Sequence, residues 1–188
     1  MGVLLLSDCR VLLMPGLHNS GPGHWQTRWE RLYPYVERVE QDDWDHPQLP
    51  AWSARFDQVR SRDSRPVLVA AHSFGCLATA YSLARDPRGV AGVLMVAPAD
   101  PDKFGVAGAL PRTPLPCPTI MIGSSNDPWM SADNAAVWAE RWGSEFINLG
   151  ALGHINAESG LGDWEFGQSR LQALFDLAQS AQGQAQLA

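Results

Sequence analysis

Residues 70–78 form the most informative segment of the chain, Ala70-Ala71-His72-Ser73-Phe74-Gly75-Cys76-Leu77-Ala78. It joins a continuously apolar run, Val67 to Ala71, to a small-residue segment, and so predicts a strand, a tight turn and a helix. Ala71, Ser73 and Gly75 match the pattern G-x-S-x-G except at its first position, and the turn needs small residues because it crowds larger side chains. The stretch therefore predicts a nucleophile elbow with Ser73 as candidate nucleophile. The alternative is a turn serine that caps the helix.

Segments on both sides of this stretch alternate between strand and helix patterns. The predicted strands are Arg10 to Met14, Tyr35 to Glu40, Pro66 to Ala71, Gly89 to Ala97, Thr119 to Gly123 and Glu145 to Leu149. The predicted helices are His24 to Leu32, Gln48 to Arg62, Phe74 to Arg85, Ala132 to Trp142 and Trp164 to Gln179. Three of the strands are apolar throughout, which is typical of strands covered on both faces. We expect a compact α/β fold of about six mostly parallel strands, doubly wound, with helices on both faces.

The length and composition are typical of one globular domain. The chain has 188 residues, of which 45% are hydrophobic and 18% charged, and such a chain builds a single core. We predict one domain spanning residues 1–188, with a C-terminal tail that frays from about Ser180. Lysine and arginine number 14 against 20 acidic residues, for a net charge of -6. This balance argues against nucleic acid as a partner.

Cysteine and histidine spacing argues against disulfide and metal chemistry. The chain has no C-x-x-C pair, and its first four histidines lack the paired spacing of metal ligands. The residues concerned are Cys9, Cys76, Cys117, His18, His24, His46 and His72. We interpret these histidines as loop or internally bonded residues and Cys76 as a small buried residue, and we expect no metal and no cofactor. Apolar runs are too short for a membrane helix and no basic segment precedes them, which favours a cytoplasmic location with no membrane partner.

An activated serine needs a base and an acid that orients the base. In an α/β fold with a nucleophile elbow these residues follow the serine in the order acid, then histidine, on loops after later strands. Asp127 follows the strand that ends at Gly123, and His154 follows the next one. Asp127 could instead be a turn or cap residue before Pro128, and His154 a loop histidine bonded to backbone. The other candidate acids are Asp100, which ranks second, Asp102, and Asp163, which follows the histidine and so has the wrong order.

The loop after the first strand is the candidate second half of an oxyanion hole. It runs from Met14 to Trp25 and contains three glycines, which let backbone approach a ligand closely. We predict that the backbone amides of Leu17 and Phe74 stabilise a developing oxyanion. A glycine-rich loop could instead bind phosphate, but neither G-K-[ST] nor G-x-G-x-x-G is present.

Four residues are predicted to bind substrate. His18 and Asn19 belong to the loop after the first strand, while Trp44 and Trp129 follow other strands and could line an apolar acyl pocket. Core filling is the alternative for both tryptophans. Trp25 and its helical neighbour Trp29 are expected to pack inward.

Several motifs together resemble the small YdeN-type serine hydrolases of bacteria, which are similar to human retinoblastoma-binding protein 9. The motifs are S-G-P-x-H-W-Q (Ser20 to Gln26), Q-x-D-W-x-x-P (Gln41 to Pro47), H-S-x-G (His72 to Gly75), S-x-N-D-P (Ser124 to Pro128) and G-H (Gly153 and His154). They span nearly the whole chain, from about residue 10 to 165. The resemblance implies a compact α/β-hydrolase fold with Ser73, Asp127 and His154 as catalytic triad. It indicates little about the substrate.

Two features distinguish the chain from larger α/β hydrolases. Nine residues precede the first strand, too few for an antiparallel edge hairpin. Pro98 to Cys117, where lids are often inserted, is only 20 residues long and has five prolines, so we expect no helical lid and no lid domain. An open site favours small or exposed acyl substrates over the long chains of a true lipase.

These observations predict a serine hydrolase, most simply a carboxylesterase that cleaves a small carboxylic ester or related acyl substrate through an acyl-enzyme. Two alternatives remain open. An acyltransferase or small peptidase would use the same residues with a different acceptor or bond. A non-catalytic domain would use the cleft to bind a protein partner, although no sequence feature indicates such a partner.

Overall fold

The computed structural model describes residues 6–185, and their side chains as far as residue 181. The six strands are β1 Arg10–Met14, β2 Val36–Arg38, β3 Val67–His72, β4 Val90–Val96, β5 Thr119–Gly123 and β6 Glu145–Asn148. The five α-helices are α1 Trp25–Leu32, α2 Leu49–Arg60, α3 Phe74–Leu83, α4 Ala132–Trp142 and α5 Glu165–Ala185. These elements confirm the predicted strand and helix order.

The strands form one sheet in the order β2-β1-β3-β4-β5-β6, and every neighbouring pair is parallel. The predicted parallel, doubly wound topology is therefore confirmed. The chain builds outward from β1 to one edge, returns to β3 and then builds to the other edge. The direction of winding thus reverses between β1 and β3, where ligands bind in such sheets. The loops after β1 and β3 meet at this point.

Side chains alternate between two hydrophobic layers along the central strands. Leu12, Val69 and Met95 face the layer covered by α2, α3 and α4. Leu13, Leu68 and Leu94 face the layer covered by α1 and α5, where Trp25 and Trp29 are buried as predicted. Covering both faces explains why the central strands are apolar without alternation.

Two element ends differ from the sequence prediction. β2 is limited to Val36–Arg38, which pair with Val11 to Leu13 of β1, and the amide of Val39 makes the last hydrogen bond of this ladder, to the Leu13 carbonyl. α5 extends through Ala185, beyond its predicted end at Gln179, and the fraying expected from about Ser180 stays a prediction. Its terminal residues are mostly Gln and Ala, which have good helix propensity. Residues 186–188 of the expected tail lie outside the described residues.

The connection between β4 and β5 is described throughout, and it contains one 3-10 turn, Ala107–Ala109, and no α-helix. The expected absence of a lid domain agrees with this short connection. Phe104 and Val106 from the connection nevertheless pack against the core. Among the described helices, none combines the length and apolar character that a membrane span requires.

Candidate active site

The turn between β3 and α3 holds Ser73 in a strained backbone conformation. Its φ of 52° and ψ of -124° lie outside the regions that residues with a side chain usually adopt. Its amide donates to the carbonyl of Val96 at 3.1 Å, which fixes the turn to β4. A Cβ atom on Gly75 would overlap the backbone carbonyl of Met14. The glycine of the elbow is therefore required by the close passage of β1.

The loop after β1 runs directly against the serine. A Cβ atom on Gly16 would lie 2.6 Å from Ser73 Cβ and 3.1 Å from Ser73 Oγ, which is too close for any side chain. The hydroxyl of Ser73 forms no hydrogen bond with another described residue. It is thus unrestrained and sits beside the backbone that follows Gly16.

Asp127 and His154 are paired in the structure. Nδ1 of His154 lies 3.0 Å from Oδ1 and 2.9 Å from Oδ2 of Asp127. The two side chains are 10% and 2% exposed, respectively. The Trp129 amide also donates to Oδ1 of Asp127 at 2.9 Å. Because the carboxylate accepts at Nδ1, the proton of a neutral His154 resides there, and Nε2 is left as the basic nitrogen.

The other candidate acids have different partners. Asp100 accepts the amide of Asp102 at 3.0 Å, as a turn residue does. Asp163 accepts the Arg28 guanidinium at 2.6 Å. Within the described side chains, Asp127 is the one carboxylate that contacts the ring of His154.

Ser124 and Asn126 tie the loop of Asp127 to the loop of His154. The hydroxyl of Ser124 accepts the Leu152 amide at 2.9 Å, and the Asn126 side-chain oxygen accepts the Gly153 amide at 2.6 Å. These contacts give the S-x-N-D-P motif a structural role. They hold acid and histidine in register although 27 positions separate the two residues.

Two backbone amides near Ser73 have no protein acceptor. Within the described part of the chain, neither Leu17 nor Phe74 donates its N–H to another residue. Leu17 directly follows Gly16 and Phe74 directly follows Ser73, and Gly16 and Ser73 are in close contact. Unpaired amides at the start of a helix and beside a tight turn are the groups that bind an oxyanion.

A buried network holds the loop after β1 in place. The hydroxyl of Ser20 donates to Gln26 Oε1 at 2.6 Å, and Gln26 Nε2 donates to the carbonyl of Ala70 at 2.9 Å. Arg38 donates to the side-chain oxygen of Asn19 and, at 3.0 Å, to the Ser20 carbonyl. The S-G-P-x-H-W-Q motif thus fastens the loop to the strand that carries Ser73.

These loops surround a cavity of about 320 Å³. Of the residues predicted for the site, those that line it are Leu17, His18, Asn19, Ser73, Trp129 and His154. Trp129 is 43% exposed, so the cavity reaches the surface. Trp44 is not among the lining residues. Its indole packs against Trp52 with ring centroids 5.4 Å apart, which makes it part of the α2 side of the core.

The sequence interpretation missed several lining residues, namely His24, His72, Phe104, Asn156 and Glu158. Phe104 lies in the β4–β5 connection and faces Trp129, with centroids 6.4 Å apart. Nothing in the spacing of that segment indicates this contact. His24 and His72 stand inside motifs that were noticed, S-G-P-x-H-W-Q and H-S-x-G. Because these motifs lie in two loops that form the site, they could have identified His24 and His72 as lining residues.

His24, His72 and His154 form a row of rings along the cavity. The centroid distances are 4.7 Å from His24 to His72 and 4.7 Å from His72 to His154. Burial lowers the pKa of His72 well below its ordinary value, and the neighbouring histidines add to this effect. Burial, followed by the charge of Arg38, lowers the pKa of His24 to about 3. Both rings are therefore neutral at physiological pH.

Other reactive groups of the described chain do not join the site. Cys76 is buried in α3, and burial raises the pKa of its thiol strongly, so it is an unreactive packing residue. Among the described residues, no three histidine, cysteine or acidic side chains lie close enough together to hold a metal.

A serine at a strained turn after a central strand, with later loops that supply an acid and a histidine, defines the α/β-hydrolase class. The chain belongs to the serine hydrolase family, which it matches over residues 11–173. The resemblance to YdeN-type hydrolases is thereby confirmed at the level of the family and its structural relatives. A comparison with curated proteins gave no match.

Solved structures agree with this assignment. A protein described as a YdeN-like hydrolase, from Pectobacterium atrosepticum, is 38% identical, with a TM-score of 0.88 over 91% of this chain and 92% of that one. The ydeN gene product of B. subtilis is 15% identical, with a TM-score of 0.71 over 89% of this chain and 99% of its own. A monoacylglycerol lipase from Paleococcus ferrophilus is 13% identical, with a TM-score of 0.64 over 87% and 93% of the two chains. The last two similarities concern the fold alone.

Proposed function

We propose that this member of the serine hydrolase family is a carboxylesterase for small acyl substrates, with Ser73 as nucleophile, His154 as base and Asp127 as the acid that orients it. The observation that carries the proposal is the bidentate contact of Asp127 with Nδ1 of His154, at 3.0 and 2.9 Å. It leaves Nε2 as the basic nitrogen of His154, and His154 lines the same cavity as Ser73.

The proposed reaction begins when Ser73 Oγ attacks the ester carbonyl while its proton passes to Nε2 of His154. The imidazolium that forms is stabilised by the carboxylate of Asp127, whose side chain is 2% exposed. Ser73 Oγ has no competing partner among the described residues, so no other group holds its proton away from the base.

The carbonyl oxygen becomes an oxyanion in the tetrahedral intermediate. The unpaired amides of Leu17 and Phe74 supply two donors for it. His154 then returns the proton to the departing alcohol, which leaves an acyl group on Ser73. Water enters the surface-reaching cavity, His154 removes its proton, and a second tetrahedral intermediate releases the acid and restores the serine.

The walls of the cavity favour small acyl groups. Phe104 and Trp129 form an apolar side, and Asn156 and Glu158 form a polar side. A cavity of about 320 Å³ lies at the small end of ligand sites. A small ester satisfies both sides, whereas a long alkyl chain would extend into water.

Labelling with a fluorophosphonate probe tests the proposal. The probe should modify the wild-type chain on Ser73, as located by peptide mass spectrometry, and p-nitrophenyl butyrate should be hydrolysed. Ser73→Ala should abolish both signals, while Ser169→Ala, which removes an exposed hydroxyl on α5, should retain both. An adduct on a different serine, or labelling without ester hydrolysis, would contradict the proposed roles or the proposed reaction, respectively.

A further inference from the structure

A buried ring nitrogen of His24, a residue that lines the cavity, has no hydrogen-bond partner. Among the described side chains, four buried nitrogen or oxygen atoms lack a hydrogen bond, namely His24 Nε2, Gln41 Nε2, Ser53 Oγ and Ser144 Oγ. Of these residues, His24 is the one that lines the cavity with Ser73 and His154. Burying an unpaired polar group destabilises a protein, so such a group calls for a functional explanation.

The hydrogen bonds of His24 determine which nitrogen carries its proton. Its Nδ1 accepts the amide of Gln26 at 3.2 Å and so caps α1. Because the ring is neutral and Nδ1 accepts, the proton resides on Nε2. The unpartnered atom is therefore a hydrogen-bond donor whose ring the helix cap holds in a fixed orientation.

The position of the ring places this donor close to the proposed reaction centre. His24 is 4% exposed, and its ring lies 4.7 Å from that of His72, which in turn lies 4.7 Å from that of His154. His72 donates from Nε2 to the backbone carbonyl of His154 at 2.8 Å, and its accepting nitrogen, Nδ1, forms no hydrogen bond with Nε2 of His24. No described group competes for the donor.

The charges around the cavity indicate which kind of acceptor it would bind. Among the described residues that line the cavity there is no lysine or arginine, and Glu158 is the one carboxylate. Arg38, which lowers the pKa of His24, is already paired with Glu30 at 2.8 Å. An anionic group would meet Glu158 without a compensating cation, so a neutral oxygen fits better than a carboxylate.

We propose that His24 Nε2–H donates a hydrogen bond to a neutral oxygen of the substrate, other than the scissile carbonyl oxygen, and so selects oxygen-substituted esters over plain alkyl esters. This inference rests on the proposed esterase function and adds a specificity-determining residue to it. An ether, hydroxyl or keto oxygen has the required chemistry. The oxygen belongs either to the acyl half or to the alcohol half of the ester, and the two are distinguished by experiment.

Two pairs of esters of equal length measure this preference. On the acyl side, p-nitrophenyl methoxyacetate replaces one methylene of p-nitrophenyl butyrate by oxygen. On the alcohol side, 2-methoxyethyl butyrate stands in the same relation to butyl butyrate. The quantity of interest is the ratio of kcat/KM within a pair, compared between wild type and variants. Differences in intrinsic ester reactivity cancel in this comparison.

Substitutions at His24 separate the donor from the helix cap. Asn places its side-chain oxygen near the position of Nδ1, so His24→Asn retains the cap and removes the donor. The longer side chain of Gln carries an N–H donor near the position of Nε2, so His24→Gln retains the donor. His24→Phe keeps the volume of the ring without either function, and it serves if His24→Asn does not fold.

We expect the oxygen preference to fall about fivefold in His24→Asn and in His24→Phe for one of the two pairs, as the loss of one neutral hydrogen bond predicts. His24→Gln should keep the preference within about twofold of wild type. The matched control is His46→Asn, because His46 is exposed and is bonded to Asp43 outside the cavity. This control should leave both ratios unchanged.

The outcomes that overturn the inference are specific. Unchanged ratios for both pairs in His24→Asn and His24→Phe would show that Nε2–H contacts no substrate oxygen. An equal loss in His24→Gln would show that the ratio reflects the shape of the ring and not its donor. Failure of the proposed function would look different, because the wild-type chain would then neither label with fluorophosphonate nor hydrolyse any of the four esters.

Discussion

Nε2 of His72 lies 2.8 Å from the backbone carbonyl of His154. A carbonyl only accepts, so His72 carries its proton on Nε2, as its neutral state allows. His72 directly precedes Ser73, and its hydrogen bond therefore connects the proposed nucleophile to the loop of the proposed base across 82 positions of the chain. We therefore expect His72 to act through its neighbours as a positioning residue.

Replacing His72 by Phe should lower kcat on p-nitrophenyl butyrate about five- to tenfold and change KM by less than about twofold. The physical reason is that one hydrogen bond contributes about 1 kcal/mol to the alignment of the base. His72→Gln, which keeps an N–H near the same position, should recover part of kcat. A variant that changes KM and leaves kcat unaltered would assign His72 to substrate binding instead.

Asp127→Asn should lower kcat by about 10²- to 10⁴-fold, because the imidazole loses both its orientation and the charge that stabilises its protonated form. Steady-state kinetics on p-nitrophenyl butyrate measures the effect, and circular dichroism checks the fold. Asp100→Asn is the matched control, since Asp100 only accepts the amide of Asp102. A larger loss in Asp100→Asn than in Asp127→Asn would place the acid one strand earlier.

The length of the acyl chain should matter in a defined way. On p-nitrophenyl esters kcat/KM should peak at roughly C2 to C6, because methylenes beyond the cavity gain little of the ~0.8 kcal/mol that burial provides. Trp129→Ala should shift the optimum, since this residue lines the cavity. Trp44→Phe should leave it in place, because Trp44 packs against Trp52. Activity that continues to rise beyond about C10 would indicate an apolar channel instead.

The lowered pKa of His24 predicts how stability depends on pH. The unfolded chain binds a proton at His24 below its ordinary pKa of 6.5, whereas the folded chain does so only near pH 3. Unfolding therefore takes up this proton between pH 6.5 and 3. The associated stability is fully present above pH 6.5 and decreases as the pH falls through that range.

Urea unfolding at pH 7, 6 and 5 tests this dependence. For each pH unit of acidification, the free energy of unfolding should fall by up to about 1.4 kcal/mol more in the wild type than in His24→Asn. This difference is the slope that corresponds to one proton. The second neutral histidine, His72, is present in both chains and cancels in the difference. Equal slopes for wild type and His24→Asn would show that His24 titrates alike in the folded and unfolded chain.

Much of the fold could be predicted from local patterns. The run Val67 to Ala71 is apolar at every position, which requires cover on both faces and hence a parallel sheet between helix layers. Gly75 and Ser73 predicted the turn because a strained strand-to-helix connection restricts side-chain size. The observed ends of β2 and α5 differ from the predicted ones. Strand ends depend on pairing and helix ends on the propensity of single turns, and the hydrophobic pattern of the sequence resolves neither.

The proposed triad could be selected from the order of the chain, because parallel strands place their following loops at one edge of the sheet. The set of side chains that share the cavity could not be predicted from the order of the chain. Trp44 and Phe104 both lie in loops, yet Trp44 packs on the α2 side and Phe104 faces Trp129. Loops have neither the helical nor the strand periodicity that predicts which way a side chain points. The directions of loop side chains therefore depend on contacts between distant segments.

Sequence alone was sufficient to predict the element order, the parallel sheet, the serine turn and the candidates Asp127 and His154, because each follows from local sterics or from strand order. The folded structure was needed to show that Asp127, and not Asp100, contacts the ring of His154. It also placed His24 in the cavity wall with its Nε2 unpartnered. The physical reason is that hydrogen bonds act over about 3 Å. Proximity on that scale is created by packing loops that are far apart in the chain.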